Sequence, residues 1–338
     1  MKTLILSIDY EVFLGERTGD VEEVLINPTY RLMDILNKNG SKMTVFWDVL
    51  HYYQLCKNRD LSPKLFREKT LVENQIRELV RQGHDVQMHI HPHWLDAKYE
   101  DGHWIFDYSR FSIHKLSSVH DKDDINTVIG CLTLAKSIME EVIRPIKPDY
   151  KVKAYRAGGY LIEPFETLRE VFLELGIEVD SSTCPGSKND CIPYPFDFRG
   201  YPTQTPYRYS QSPCCIDKNG VFIEYPIKIF KLSPWFRLKR EINNRRRKFN
   251  KVTLGGTGVR FPHKVLSRWE KLLRYFSSTT VQLTTDGGDE SLYKYTLNHA
   301  PENSVMILHP KMQTTKTFNY LEQLLSVNYV NFSTIQYS

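Results

Sequence analysis

Apolar runs of strand character recur along this chain, and amphipathic helical stretches stand between them. That rhythm constrains the fold more than any other feature. Strand-like runs are read at Thr3–Ile8, Met43–Trp47, Val86–Ile90, Val152–Tyr155, Ile177–Val179, Val221–Glu224, Thr280–Leu283, Ser304–Leu308 and near Tyr329–Phe332. Helices are read from Asn27 to the stop at Gly40, over Leu71–Arg81, Ile125–Ile143, Ile162–Leu175 and Lys264–Phe276, and near Thr317–Leu325. Asn27-Pro28 has the residues of a helix start, a capping side chain followed by a fixed φ. Alternating strands and helices imply parallel strands joined by helical crossovers. About seven such units close more naturally as a distorted (β/α) barrel than as an open sheet. The expected fold class is therefore α/β, one barrel domain over residues 1–338. A long insertion in the second half, 184–262, carries a Pro/Tyr-rich loop and a basic segment. A chain of 338 residues is long enough for such a core.

Polar residues gather where these runs end. Asp9 and Glu11 close the first strand and, two apart, share a side of it. Two adjacent carboxylates repel unless a cation or a proton lies between them. In Gly83-His84-Asp85-Val86-Gln87-Met88-His89-Ile90-His91-Pro92-His93-Trp94, three histidines alternate at a strand end. Pro92 argues against a helix there, but a strand breaking into a turn can still bring His89 and His93 together. His91, two residues from each, is read as pointing elsewhere. Arg156 follows the Val152–Tyr155 run and precedes Gly158-Gly159-Tyr160, where glycine lets backbone approach a ligand. Asp180 and His309 end two further strands. In barrels, the C-terminal rim of the strands is where catalytic residues collect. Asp286-Gly287-Gly288-Asp289 reads as a turn.

Taken in order, these segments resemble the polysaccharide deacetylase superfamily, carbohydrate esterase family 4. The matching motifs are Asp9-Tyr10-Glu11, His89-x-x-x-His93, Arg156-Ala157-Gly158-Gly159, Asp180 and Leu308-His309-Pro310. Glu11 stands where the family has a second Asp, so the chain is similar to a divergent branch associated with surface-polysaccharide biosynthesis. The resemblance implies a metal-dependent hydrolase removing an N-acetyl or similar N-acyl group from an amino sugar or glycan. Glu11, His89 and His93 would hold a divalent ion, zinc by default. Asp9 would act as base, Arg156 would orient it, and His309 would act as acid with Asp180 supporting it. Gly159, Tyr160 and Trp94 would meet the substrate. Two alternatives stay open: deformylation of a lipid-linked amino sugar, and non-catalytic glycan binding on the same scaffold.

Charge and cysteine usage bear on partners. The net charge of +5 is too mild to argue for nucleic acid, and no nucleic-acid motif is present. It is unevenly spread, however: residues 228–251 are strongly basic and interleaved with Trp235, Phe236, Leu238, Ile242 and Phe249. That segment is read either as a solvated helix face or as a contact for an anionic membrane or a lipid-linked glycan. Six cysteines without metal-site spacing suggest a reducing compartment. With no run of 18 apolar residues, the expected location is cytoplasmic, peripheral to the membrane at most.

Overall fold

The computed structural model describes residues 2–192, 194–246, 255–258, 269, 279–323 and 327–332. Nine strands form its main sheet: β1 (Lys2–Tyr10), β2 (Thr44–Asp48), β3 (Asp85–Ile90), β4 (Ala154–Ala157), β5 (Val179–Asp180), β6 (Tyr207–Tyr209), β7 (Phe222–Glu224), β8 (Val305–Leu308) and β9 (Val327–Val330). Their order is β6-β7-β5-β4-β3-β2-β1-β8, with β9 on the first half of β1. Every pairing is parallel except β6 with β7. The chain just past β7 joins the β5 side of this order to β8. Ile227 N–H donates to Thr183 O at 2.9 Å, and Ile227 bridges Val305 of β8 in parallel. Through that bridge β1, β2, β3, β4, β5, β7 and β8 form a distorted barrel of seven parallel strands. β6 and β7 lie within 184–262, the range expected to be an insertion.

Strands buried on both faces read as unbroken apolar runs. Leu4, Ile5, Leu6 and Ile8 of β1 and all of β8 are buried accordingly. The helices α1 (Asn27–Asn37), α2 (Val49–Asn58), α3 (Pro63–Arg81), α4 (Val128–Ile143), α5 (Glu166–Leu175), α6 (Pro234–Arg246), α7 (Glu290–His299) and α8 (Thr315–Gln323) complete the fold. Around the barrel, α2 packs on α3, α3 on α4, α4 on α5 and α1 on α8. Ser62 caps α3 by accepting from Leu65 N–H, and Leu65, Val72, Ile76 and Leu79 form its buried stripe. α5 stops at Gly176, whose φ of 71° is one that glycine adopts without steric cost.

Several elements differ from the sequence reading. α2 was invisible to periodicity because six of its ten residues are buried, leaving no clear polar face. Asn27 caps nothing: a π-helical turn, Glu22–Ile26, runs straight into α1. Thr279–Gln282 is not a barrel strand but pairs antiparallel with Ile229–Leu232. The helix read at Lys264–Phe276 lies outside the described residues, save Trp269. No described helix is long and apolar enough to cross a membrane.

Candidate active site

In a parallel ladder, residues in register share a face, and residues two apart on one strand share it as well. The register pairs Asp9 with Phe46 and Phe46 with Gln87. It pairs Asp48 with His89, His89 with Arg156, and Ser7 with Ile307. Ser7, Asp9, Phe46, Asp48, Gln87, His89 and Arg156 thus all face the barrel interior. Two residues further on, past the strand ends, Glu11, His91 and His309 keep the same parity. This face holds a cluster of buried polar residues, and Asp9, Asp48, His89 and Arg156 stand near the C-terminal ends of their strands.

Arg156 is fully buried and anchors the floor. Its Nη1 donates to Asp9 Oδ1 at 2.6 Å, Nε to Ser181 O at 2.8 Å, and Nη2 to Ser7 Oγ at 2.9 Å and Ser181 Oγ at 2.8 Å. The guanidinium also lies over the Phe46 ring, 4.2 Å from its centroid. Burial alone would push the Asp9 carboxyl up. Arg156, His89 and His309 outweigh burial and hold it well below the ordinary range. Asp9 is therefore held as an anion, and its other oxygen, Oδ2, lies 3.5 Å from His309 Nε2.

Glu11, His89 and His91 converge beside it. Their potential ligand atoms all lie within 4.8 Å of one another, and all three residues are buried. His89 Nδ1 is 2.9 Å from Arg156 O, which fixes Nδ1 as the protonated nitrogen and leaves the Nε2 lone pair aimed inward. That Nε2 is 3.6 Å from Glu11 Oε2, and His91 Nε2 is 2.8 Å from the same oxygen without the alignment of a hydrogen bond. Glu11 Oε2 and His89 Nε2 are buried without a hydrogen-bond partner. Two imidazoles, a carboxylate and orphaned donor atoms suit a divalent cation. Glu11's other oxygen accepts from Lys311 Nζ at 2.8 Å, and the same ammonium donates to Val12 O. Burial opposes ionisation of Glu11, but Lys311 and His91 hold its carboxyl well below the usual range. Asp48 completes the wall. Its Oδ2 accepts from Trp94 Nε1 at 2.8 Å, and burial pushes the carboxyl up to about 6 against the pull of His91 and His89.

His93 does not join this group. After β3, Pro92 starts a 3₁₀ turn over Pro92–Asp96, and strand parity is lost at that point. His91 remains on the interior face. His93 instead stacks on Phe111 at an interplanar angle of 7°, with Trp94, Phe106 and Tyr108 around it. Neither of its ring nitrogens has a hydrogen-bond partner, and burial pushes its pKa well down.

Asp180 does not support His309. The register pairs it with Tyr155 and Glu224, so it lies on the face opposite to Arg156. There it accepts from Ser182 Oγ at 2.6 Å. The carboxylate on His309 is Asp286, the residue read as part of a turn. Its Oδ2 is 2.6 Å from His309 Nδ1, and its Oδ1 accepts from His309 N–H at 3.0 Å and from Gln313 Nε2 at 2.6 Å. Burial disfavours a charged imidazole, yet Asp286 and Asp9 together raise His309 to about 10. A tight turn, with Gly287 and Gly288 at φ of 73° and 68°, brings Asp286 back to the rim.

The three expected substrate residues also part company. Trp94 is fully buried and offers no face to a ligand; it serves Asp48. Gly159 and Tyr160 form the turn after β4, both at positive φ, and Tyr160 Oη accepts from Gln282 Nε2 at 2.8 Å. A β-carbon on the preceding Gly158 would sit 2.5 Å from Ile90 O and 2.7 Å from His91 Nδ1, so that glycine makes room for the His91 ring.

No protein-family model matches the chain, and no curated protein matches it. Among solved structures it is similar to a Mycobacterium smegmatis protein described as a polysaccharide deacetylase (13% identity, 98% of this chain, 87% of that one, TM-score 0.45). It is similar to an allantoinase (12% identity, 99% and 92%, TM-score 0.45). A third is a Pseudomonas aeruginosa PAO1 protein also described as a polysaccharide deacetylase (13% identity, 98% and 88%, TM-score 0.42).

Proposed function

We propose that this chain is a metal-dependent hydrolase that removes an N-acyl group, acetyl first among them, from an amino sugar or glycan used in a cell-surface polysaccharide. One observation carries the reading. A carboxylate held ionised, an imidazole held protonated and a His/His/carboxylate cluster meet on one face at the C-terminal rim of the barrel. Environments that push two titratable groups apart mark which is base and which is acid. The three motifs whose residues meet at the site, Asp9-Tyr10-Glu11, Arg156-Ala157-Gly158-Gly159 and Leu308-His309-Pro310, resemble the deacetylase superfamily and support the choice of an N-acyl sugar.

Glu11, His89 and His91 would hold the divalent ion, with Lys311 fixing the Glu11 carboxylate. When bound, such an ion supplies Lewis acidity toward an acyl oxygen and lowers the pKa of water. Asp9 Oδ2 is placed to orient a water and accept its proton, while Arg156 locks the carboxylate rotamer. His309 holds a proton on Nε2, the nitrogen that faces Asp9, and Asp286 secures Nδ1. An amine leaves an acyl carbon readily only when protonated, so His309 Nε2 delivers that proton to the leaving nitrogen. Asp9, 3.5 Å away, can then hand its proton back to the imidazole. In the turn after β4, where Gly158 abuts His91, Tyr160 is the proposed contact for the sugar, and Gly159 is closed in by Phe111.

The test measures acetate and formate released from a panel of N-acylated amino sugars and glycans by the metal-reconstituted protein. Asp9→Asn should lower the rate about 10²–10⁴-fold. Unchanged release by that variant would overturn the mechanism, and failure on every N-acyl substrate with several metals would overturn the activity.

A further inference from the structure

The basic part of the chain sits on the same rim as the candidate active site. Ile229–Leu232 pairs with Thr279–Gln282, and Gln282 reaches Tyr160 beside the site mouth. α6 follows directly and is tied down by Arg240, whose Nε lies 2.5 Å from Asp289 Oδ2. Asp289 stands three residues beyond Asp286, the partner of His309.

Two independent features of this region call for a special surrounding. The first is charge. Residues 228–246 hold seven basic side chains against one acidic, a net of +6 in a chain whose total is +5. The remainder of the protein is therefore slightly acidic, and all of its excess positive charge lies here. The second is exposed aromatic surface. Trp47, Trp94 and Trp104 are buried elsewhere in the chain, whereas Trp235 of α6 is 75% exposed. Leu238, 43% exposed, lies one helical turn beyond Trp235, and Lys231 and Lys239 beside them are exposed. Tryptophan with leucine on one side of a helix, flanked by lysine and arginine, is the composition of a segment lying in a membrane interface.

We propose that α6 and the strand before it dock this rim on an anionic phospholipid bilayer, so that the site opens toward the membrane surface. Charge complementarity selects an anionic partner. The exposed Trp235 and Leu238 select one with an apolar phase, which a dissolved polyanion does not offer. The segment lies on the bilayer and does not span it. The inference goes beyond the proposed reaction, and its test needs no turnover.

The test is co-sedimentation of the full chain with phosphatidylcholine vesicles, with and without about one third phosphatidylglycerol. Binding is expected only to the anionic vesicles and should fall steeply with added salt. Lys231→Gln and Lys239→Gln should each weaken it about fivefold, and Trp235→Ser about tenfold. All three side chains are exposed, so the variants should keep the fold. No binding at low salt would overturn the proposal. So would binding that Trp235→Ser leaves unchanged and soluble polyglutamate competes away, which marks a general polyanion sink.

Discussion

Two pairs of buried groups, on opposite faces of the same sheet, behave in opposite ways. Inside the barrel, Asp9 meets Arg156 and is held as an anion. On the outer face, Asp180 meets Glu224; burial pushes both carboxyls up, and the neighbouring Asp180 raises Glu224 further. Glu224 is raised well above its ordinary range, with Thr183 N–H and Oγ1–H donating to its Oε1. All four residues are equally inaccessible to water. A carboxyl's state here is set by its partners, a guanidinium at Asp9 and a second carboxyl at Glu224, and depth alone does not decide it. The Asp9–Arg156 pair carries charge for chemistry, and the Asp180–Glu224 pair avoids charge by retaining a proton.

The largest effect expected from breaking this contrast is on the inner pair. Arg156→Met removes the countercharge but fills the space, leaving Asp9 ionised and alone. Breaking a buried pair in this way costs about 3–5 kcal/mol, because desolvation of the remaining ion is no longer offset. Urea unfolding at neutral pH measures it. A loss under 1 kcal/mol would mean that Asp9 simply takes up a proton, and that the inner face resembles the outer one.

The histidines come next. His91→Ala should lower metal affinity by more than the roughly 10–100-fold typical of an outer-shell change. His93→Ala should leave metal content intact and instead lower stability by about 2–3 kcal/mol through a cavity among Phe106, Tyr108 and Phe111. Elemental analysis of the two purified variants decides between them. Retained metal in His91→Ala with loss in His93→Ala would reverse the assignment.

Asp286→Asn takes away the charge that holds His309 protonated. His309, raised to about 10 by Asp286 and Asp9, should fall toward its ordinary value. The proton donor is then lost as pH rises through that lower value, so the basic limb of the pH–rate profile moves to lower pH. The rate at neutral pH should drop about 10–100-fold. Asp180→Asn, on the other face, should leave the profile where it is. A shift in Asp180→Asn and none in Asp286→Asn would restore the reading made from sequence.

That reading went furthest where one strand carried the information by itself. Asp9, Glu11, His89, Arg156 and His309 each end a strand long or apolar enough to recognise, and the structure brings all five to one place. It went wrong where face depends on register between strands. β5 has two residues, so no alternation tells which side Asp180 takes; only its pairing with Tyr155 and Glu224 does. His91 had a usable signal, the two-residue period from His89, which the four-residue spacing of the resembled motif obscured. Asp286 lay in a Gly-rich turn with ordinary turn composition. Asp48 ends β2 and Lys311 lies in the short turn Pro310–Met312, with nothing local to mark either. They are recognised only once Trp94 and Glu11 are beside them.

The smallest effect, and the finest probe of the contrast, is on the outer pair. Glu224→Gln substitutes a neutral side chain of the same shape for a carboxyl that already prefers its proton. A group with a raised folded-state pKa adds stability below its unfolded value, near 4.5, and loses it as pH rises through the folded value. The wild type should therefore carry a growing penalty above pH about 4.5 that Glu224→Gln escapes. The variant should be within about 1 kcal/mol of the wild type at mildly acidic pH and gain on it as the solution becomes alkaline. Asp9 has the opposite sign: its depressed pKa adds stability above the unfolded value, near 3.8, which is lost on acidification. Unfolding free energies of the wild type, Glu224→Gln and Asp9→Asn across pH should then separate in opposite directions. Parallel curves for the two variants would show that the two faces of the barrel do not differ in charge state after all.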